Sequence, residues 1–196
     1  MADQKFDVAI IGGGIIGTSI AYHLARKGCR NVVVLEKEIN PGMGSTAKAA
    51  GGIRAQFGSA INVELSRLSI SAFERFPKEV GIDVAFHQVG YLWIATRPDE
   101  VEIFKRNVEL QRSRGLDVRL LTPAQVGHHA PYVRLDDVVA GTFHARDGYA
   151  PPADYVMGYH KAAKDRGVTF LLQSPVTAIQ GMTLTTPAGT VTAGKI

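Results

Sequence analysis

The stretch Phe6–Lys37, FDVAIIGGGIIGTSIAYHLARKGCRNVVVLEK, leaves little freedom in how this chain begins to fold. Phe6–Ile11 is a short apolar run with the character of a strand buried on both faces. Gly12, Gly14 and Gly17 follow it at G-x-G-x-x-G spacing. From Ile15 to Lys27, Ile16, Ile20, Leu24 and Ala25 return at helical spacing, and Gly28 stands where a C-cap belongs. Val32–Leu35 is a second β-branched run, and an acid, Glu36, ends it. Strand, glycine turn, helix, strand and an acid about 20 residues past the glycines make up a dinucleotide-binding βαβ unit.

Each residue type has a physical reason to be there. Gly12 allows the tight turn out of the strand. Gly14 lets a pyrophosphate approach the backbone, and Gly17 lets the helix pack close to the sheet. The helix N-terminus offers unpaired N–H groups and the positive end of its dipole to phosphate. Glu36 is placed to accept hydrogen bonds from ribose hydroxyls and would repel a 2′-phosphate.

Composition sets outer bounds. With 196 residues, 45% of them hydrophobic, the chain can bury a core. Its net charge of +4 is modest and its basic residues are scattered, so neither nucleic acid nor a membrane surface is expected as a partner. A single cysteine, Cys29, excludes an internal disulfide and a cysteine metal cluster, and no metal is expected. The N-terminal apolar run is interrupted by glycines and has Lys5 as the only basic residue before it, unlike a signal peptide, so a cytoplasmic protein is expected.

After Glu36 the chain enters a run of small residues, Asn40–Gly58. Ser45, Thr46, Gly51, Gly52 and Arg54 in this loop form a candidate second contact surface, because small side chains admit a ligand to backbone amides. Further on, helices are predicted over 62–76, ended or bent by Pro77, from Pro98 to about Gly115, from Thr122, and over 154–166. Strands are predicted at 91–96, 118–121, 138–145 and 168–172, with a turn at Asp147-Gly148 and a β-meander over 175–196.

Taken together, these residues resemble the N-terminal half of FAD-dependent amine and amino-acid oxidoreductases of the D-amino-acid oxidase superfamily. The branch with sarcosine oxidase β subunits, glycine oxidase, and proline and dimethylglycine dehydrogenases is the most similar. The resemblance is carried by Asp7–Gly17, Leu35-Glu36-Lys37, Gly44-Ser45-Thr46, Gly51–Phe57, Gly90-Tyr91-Leu92, Asp147-Gly148, Gly167-Val168 and Pro175-Val176.

The resemblance implies an α/β fold. A Rossmann-like FAD-binding domain, residues 1–82 and 150–196, would be split by an inserted α+β substrate-domain segment, 83–149. It implies FAD held by Gly12, Gly14, Ile15 and Ile16 at the turn, with Glu36 on the adenosine ribose and Lys37 beside adenine. Gly44, Ser45 and Thr46 would face the pyrophosphate and ribityl chain. Gly51, Gly52 and Ile53 would lie near the flavin ring, and the Val176 backbone would meet adenine. Lys48 stands where some relatives carry a flavin-linked histidine, so non-covalent FAD is expected. Arg54 matches an arginine that holds the substrate carboxylate in sarcosine-oxidising relatives, a task suited to a planar guanidinium.

The implied chemistry is oxidation of the C–N bond of a small amine or amino acid to an imine, with flavin as the electron sink. His87, Tyr91, His144 and Tyr149 could enter a pocket, but none is assigned as a catalytic base. Two alternatives stay open: another FAD enzyme such as a hydroxylase, and a nucleotide-binding fragment or subunit without turnover. Only three parallel strands are predicted, and the sheet is expected to be incomplete, with an unfilled position beside Phe6–Ile11. A missing C-terminal half or a partner subunit is therefore expected to complete the enzyme.

Overall fold

A computed structural model describes residues 4–196. In chain order, β1 (Gln4–Ile11), α1 (Ile15–Arg26) and β2 (Val32–Leu35) are followed by a 3-10 turn at Thr46–Lys48, β3 (Gly52–Ile53) and α2 (Ala60–Val80). Next come β4 (Tyr91–Ala95), α3 (Pro98–Ser113), β5 (Val118–Leu121), α4 (Pro123–His129), β6 (Ala140–His144) and β7 (Gly148–Tyr149). The chain continues through α5 (Pro152–Lys164), β8 (Thr169–Leu171), β9 (Ala178–Gln180), β10 (Thr183–Thr186) and β11 (Gly189–Lys195).

Two compact units result. One holds residues up to 50 with 77–84 and 151–196; the other holds 51–76 and 85–150. This division differs from the predicted boundaries, because residues 51–76 belong with the inserted segment. The cause is local packing: Val63 and Ile70 of α2 share a buried cluster with Ala55, Val108, Leu116 and Val118. Leu65 and Leu68, predicted on the apolar face of this helix, are exposed.

The first unit is built on a six-stranded sheet in the order β8-β2-β1-β11-β10-β9. β1 pairs in parallel with β2 on one side, from Val8↔Val32 to Ile11↔Leu35. On its other side it pairs in parallel with β11, from Gln4↔Val191 to Val8↔Lys195. The position beside β1 that was expected to stand empty is therefore filled, and among the described residues the parallel strands number four. The antiparallel meander β9-β10-β11 was foreseen, but alternation within β11 gives no sign of what its far edge meets. Val191 and Ala193 join Ala9, Val33, Leu35 and Leu184 in one buried cluster.

The helix after the glycine turn also differs from expectation. Its buried stripe is Gly17, Thr18, Ala21, Tyr22 and Ala25, while Ile16 and Ile20 are exposed. Small residues allow the close approach that larger ones would prevent, so the small face packs. Tyr22 meets Tyr159 of α5 with ring centroids 5.4 Å apart. Pro77 does not end α2, which runs on to Val80. In that last turn the Glu79 carbonyl accepts the Tyr22 hydroxyl (2.8 Å), and the Glu79 carboxylate pairs with Arg26 (2.8 Å).

The second unit centres on the antiparallel sheet β4-β6-β5. Leu92, Ile94 and Phe143 pack with Leu121, Val126 and Val138 on the side of α4. The α4 capping box formed as predicted: Thr122 Oγ1 accepts from Gln125 N–H, and Gln125 Oε1 accepts from Thr122 N–H. Among the described residues no helix is long and apolar enough to cross a membrane.

Candidate functional site

The carboxyl ends of β1 and β2 open into a cavity of about 300 Å³. Its lining includes Gly12, Gly14, Glu36, Lys37, Gly44 and Val176, six of the residues singled out from sequence. Ile11 is 46% exposed because the strand gives way to the cavity at this point.

Sheet register and glycine geometry build the turn. Gly12 has φ +99°, a conformation that L side chains rarely adopt. A Cβ on Gly17 would lie 1.9 Å from the Gly12 carbonyl oxygen, so contact between helix and turn requires its absence. The first residue of α1 is Ile15, and its N-cap Gly14 supplies no side-chain cap. Thr46 reaches back instead, its Oγ1 accepting the Ile15 N–H at 3.2 Å. No acid lies in the first turn of α1, which leaves the positive end of its dipole available to an anion.

Glu36 is buried and bonded into the turn. Its Oε2 accepts the Gly13 N–H at 2.6 Å, and its Oε1 accepts the Glu38 N–H at 2.9 Å. A carboxylate has about four lone-pair sites, so two remain for outside hydroxyl donors. Two backbone hydrogen bonds bring the 173–176 segment to the same place: Ser174 N–H donates to the Glu36 carbonyl (2.8 Å) and Gln173 N–H to the Glu38 carbonyl (3.0 Å). Gln173 adopts φ +52° to make this turn. Val176 thus stands beside Glu36 although the two are distant in sequence. Ser174 and Pro175 line the cavity as well and were not predicted to; only their place between a strand and Val176 could have hinted at it.

The remaining predicted residues of this unit divide by exposure. Lys37 is exposed, within 3.7 Å of Glu38. Ile16 is 71% exposed. Ser45 is exposed at the start of the 3-10 turn, and Lys48 is exposed at its end. Gly42 N–H donates to the Gly13 carbonyl at 3.0 Å, tying this loop to the glycine turn.

Gly51, Gly52, Ile53 and Arg54 belong to the second unit. Gly52 and Ile53 pair with Tyr149 and Gly148 in a two-stranded ladder. The Arg54 guanidinium lies over three rings, with its central carbon 5.2 Å from the Phe57 centroid, 5.8 Å from Tyr91 and 5.1 Å from Trp93. Its Nε is buried without a hydrogen-bond partner among the described residues. Tyr91 thus contributes one of the rings beside Arg54. His87 stacks on Tyr149 at 4.8 Å.

Sequence reading missed the buried polar group next to Arg54. His144 Nδ1 donates to Asp147 Oδ1 at 2.6 Å, and both side chains are almost wholly buried. Asp147 had been read as a turn residue and as part of the family resemblance, with no buried polar role, since an Asp-Gly pair carries no sign of burial.

A parallel sheet with a glycine turn, a helix start free of acids and a buried acid around one cavity defines a dinucleotide-binding α/β protein. The sequence matches the FAD dependent oxidoreductase (DAO) family over residues 7–196, and the chain belongs to that family. It is 34% identical over 200 residues to mitochondrial dimethylglycine dehydrogenase of Rattus norvegicus, covering 98% of this chain and 23% of that protein. It is 31% identical over 204 residues to sarcosine oxidase subunit beta of Arthrobacter sp, covering 98% of this chain and 50% of that one. Among solved structures, L-proline dehydrogenase from P. horikoshii superposes with a TM-score of 0.89 at 30% identity, over 100% of this chain and 53% of that one. Glycine oxidase from Geobacillus kaustophilus gives 0.83 at 27% identity, over 97% and 54%. The chain therefore spans between a quarter and about half the length of these relatives. FAD is the cofactor of the family, and the residues around the cavity suit it: an anion-ready helix end, glycines open to the backbone, and an acid with lone pairs to spare.

Proposed function

We propose that this chain forms the FAD-binding and carboxylate-holding part of an oxidoreductase acting on the C–N bond of a small amine or amino acid. The observation that carries this reading is Arg54, a cation over three aromatic rings whose Nε has no hydrogen-bond partner in the described residues. A buried guanidinium N–H without an acceptor is costly unless a ligand supplies one. Dimethylglycine, sarcosine, proline and glycine, which appear in the names of the relatives, all join an amine to a carboxylate.

In this reading Glu36 binds the adenosine ribose, Lys37 lies beside adenine, and the Val176 backbone meets the adenine edge. Gly12, Gly14, Ile15 and Ile16 present backbone to the pyrophosphate, with Gly44, Ser45 and Thr46 next to it. Gly51, Gly52 and Ile53 lie near the flavin ring. FAD, held without a covalent link, supplies the electron sink when bound. Arg54 fixes the substrate by its carboxylate, so that the carbon beside the nitrogen is held in one orientation. The rings beside Arg54 lower the local polarity, which strengthens that ion pair. Completion of the site by further polypeptide, from the same chain or a partner subunit, is part of the proposal.

The test is ligand binding to the FAD-loaded protein, read from the flavin spectrum. N,N-dimethylglycine should bind at least about tenfold more tightly than trimethylamine, which lacks the carboxylate; a tenfold ratio corresponds to about 1.4 kcal/mol. Equal affinity would overturn the proposal.

A further inference from the structure

We infer that the buried group His144–Asp147–Gln56–Thr142 is the positioning device for Arg54, aligning its guanidinium for a substrate carboxylate. The inference rests on the reading of Arg54 given above and assigns four residues to it that do not themselves touch the ligand.

No polar atom of the described residues steers the buried Arg54 Nε. Its orientation must come from the backbone that carries it and from the rings around it. Both are fastened by one carboxylate. Asp147, with 0% exposure, accepts the Ala55 N–H on Oδ1 at 3.0 Å and the Gln56 amide on Oδ2 at 3.3 Å. The residues directly after Arg54 are thereby fixed. Gln56 Nε2 also donates to the Tyr91 carbonyl at 2.8 Å, and Gln56 Oε1 accepts the Thr142 hydroxyl at 2.8 Å. The same amide thus connects the Arg54 segment to β4, which bears the Tyr91 and Trp93 rings, and to β6.

His144 completes the group. Its Nδ1 proton goes to the Asp147 oxygen that holds Ala55, which sets the direction of that lone pair. Just before Arg54, the Gly52↔Tyr149 and Ile53↔Gly148 pairs run beside Asp147. Further on, Phe57 accepts from the Gln111 amide at 3.0 Å. Arg54 is thus held from both directions, while its own head group stays free for a ligand. A fully satisfied buried network of this kind gives one well-defined arrangement.

A network that served folding alone would not act through Arg54, and this difference can be measured. N,N-dimethylglycine is titrated into FAD-loaded wild type and the variants Arg54→Ala, Thr142→Val, His144→Leu and His144→Asn. The double variant Arg54→Ala/Thr142→Val is titrated alongside, with FAD content and thermal midpoint recorded for each protein. Thr142→Val and His144→Leu should each weaken the ligand by about tenfold, the scale for disturbing a hydrogen bond to a charged group. In the Arg54→Ala background Thr142→Val should cost nothing further, because coupled residues are not additive. His144→Asn, which keeps a donor to Asp147, should recover most of the loss. If His144→Leu does not fold, Thr142→Val and its double variant decide. An unchanged affinity in Arg54→Ala would overturn the reading of Arg54 itself. Loss in Arg54→Ala with wild-type affinity in Thr142→Val would overturn the positioning role alone, as would equal losses from Thr142→Val in both backgrounds.

Discussion

The Glu36 carboxylate accepts the Gly13 backbone N–H at 2.6 Å, joining the end of β2 to the turn after β1. The acid after β2 and the glycine turn after β1 lie more than 20 residues apart in sequence. Here a hydrogen bond makes one depend on the other.

Glu36→Ala should therefore do two things. It leaves the Gly13 and Glu38 N–H groups without their acceptor and removes the lone pairs offered to a ribose. Loss of hydrogen bonds to a charged group predicts FAD binding weaker by about 1.5–3 kcal/mol and a lower thermal midpoint of the cofactor-free protein. FAD titration and thermal unfolding measure the two effects. Unchanged FAD affinity would remove Glu36 from the ribose.

Two glycines of the turn should respond differently to alanine. A Cβ on Gly17 would sit 1.9 Å from the Gly12 carbonyl oxygen, so Gly17→Ala should destabilise the cofactor-free fold by more than about 2 kcal/mol. At Gly14 the nearest atom to a Cβ is Thr46 Oγ1 at 3.2 Å, and Gly14→Ala should cost the fold less than about 1 kcal/mol. It should still impair FAD binding by covering backbone that lines the cavity. Denaturant unfolding with and without FAD separates the pair; equal losses of fold stability would refute the distinction.

The βαβ unit was legible because glycine spacing, a β-branched strand and an acid at its end each answer to local chemistry. Gly12, Gly14, Glu36 and Gly44 accordingly line one cavity, and Thr46 is bonded to the start of α1. The edge met by β11 was not legible, since a strand's alternation reports which faces are buried and not which strand lies alongside. The small face of α1 was missed for a related reason: apolar periodicity favours Ile16 and Ile20, whereas the buried face holds Gly17, against the Gly12 carbonyl, with Ala21 and Ala25. Asp147 shows the same limit. Its burial depends on Ala55 and Gln56, about 90 residues earlier in sequence, and an acid in an Asp-Gly pair reads as a surface turn.

Acid should destabilise the first unit through two histidines. Burial, followed by the charge of Lys164, lowers the His160 pKa below its ordinary value of 6.5. Burial, then Arg26, lowers that of His23, with Glu79 opposing. A group whose folded pKa is depressed binds fewer protons in the native state than in the unfolded one. As pH falls below about 6.5 the unfolded chain takes up those protons first, and stability declines. The thermal midpoint should drop between about pH 7.5 and 5.5, and His160→Gln should make the drop shallower. An identical slope in the variant would exclude His160 as a contributor.

FAD is expected to be held without a covalent link. Between Glu36 and Gly58 there is no histidine, cysteine or tyrosine to form a flavin link, and Lys48 is exposed on the 3-10 turn. Acid precipitation of the FAD-loaded protein should leave yellow flavin in the supernatant. A pellet that retains the colour after washing would contradict this.

Arg54 gives opposite expectations for stability and for binding. Three rings around the guanidinium favour its charge, each by about 0.5–1 kcal/mol, while its buried Nε without a partner costs about 1–3 kcal/mol. These terms nearly cancel. Arg54→Met keeps an unbranched apolar stem among Phe57, Tyr91 and Trp93 and removes both the charge and the unpaired donor. The cofactor-free variant should therefore unfold within about 1 kcal/mol of wild type, yet lose its preference for N,N-dimethylglycine over trimethylamine. Arg54→Lys keeps a charge but not the planar fork, and should also bind the carboxylate ligand at least about tenfold more weakly. A purely structural arginine would give the reverse pattern: marked destabilisation in Arg54→Met and ligand affinity unchanged in Arg54→Lys. Denaturant unfolding of the cofactor-free proteins and spectral titration of the FAD-loaded ones decide between the two patterns.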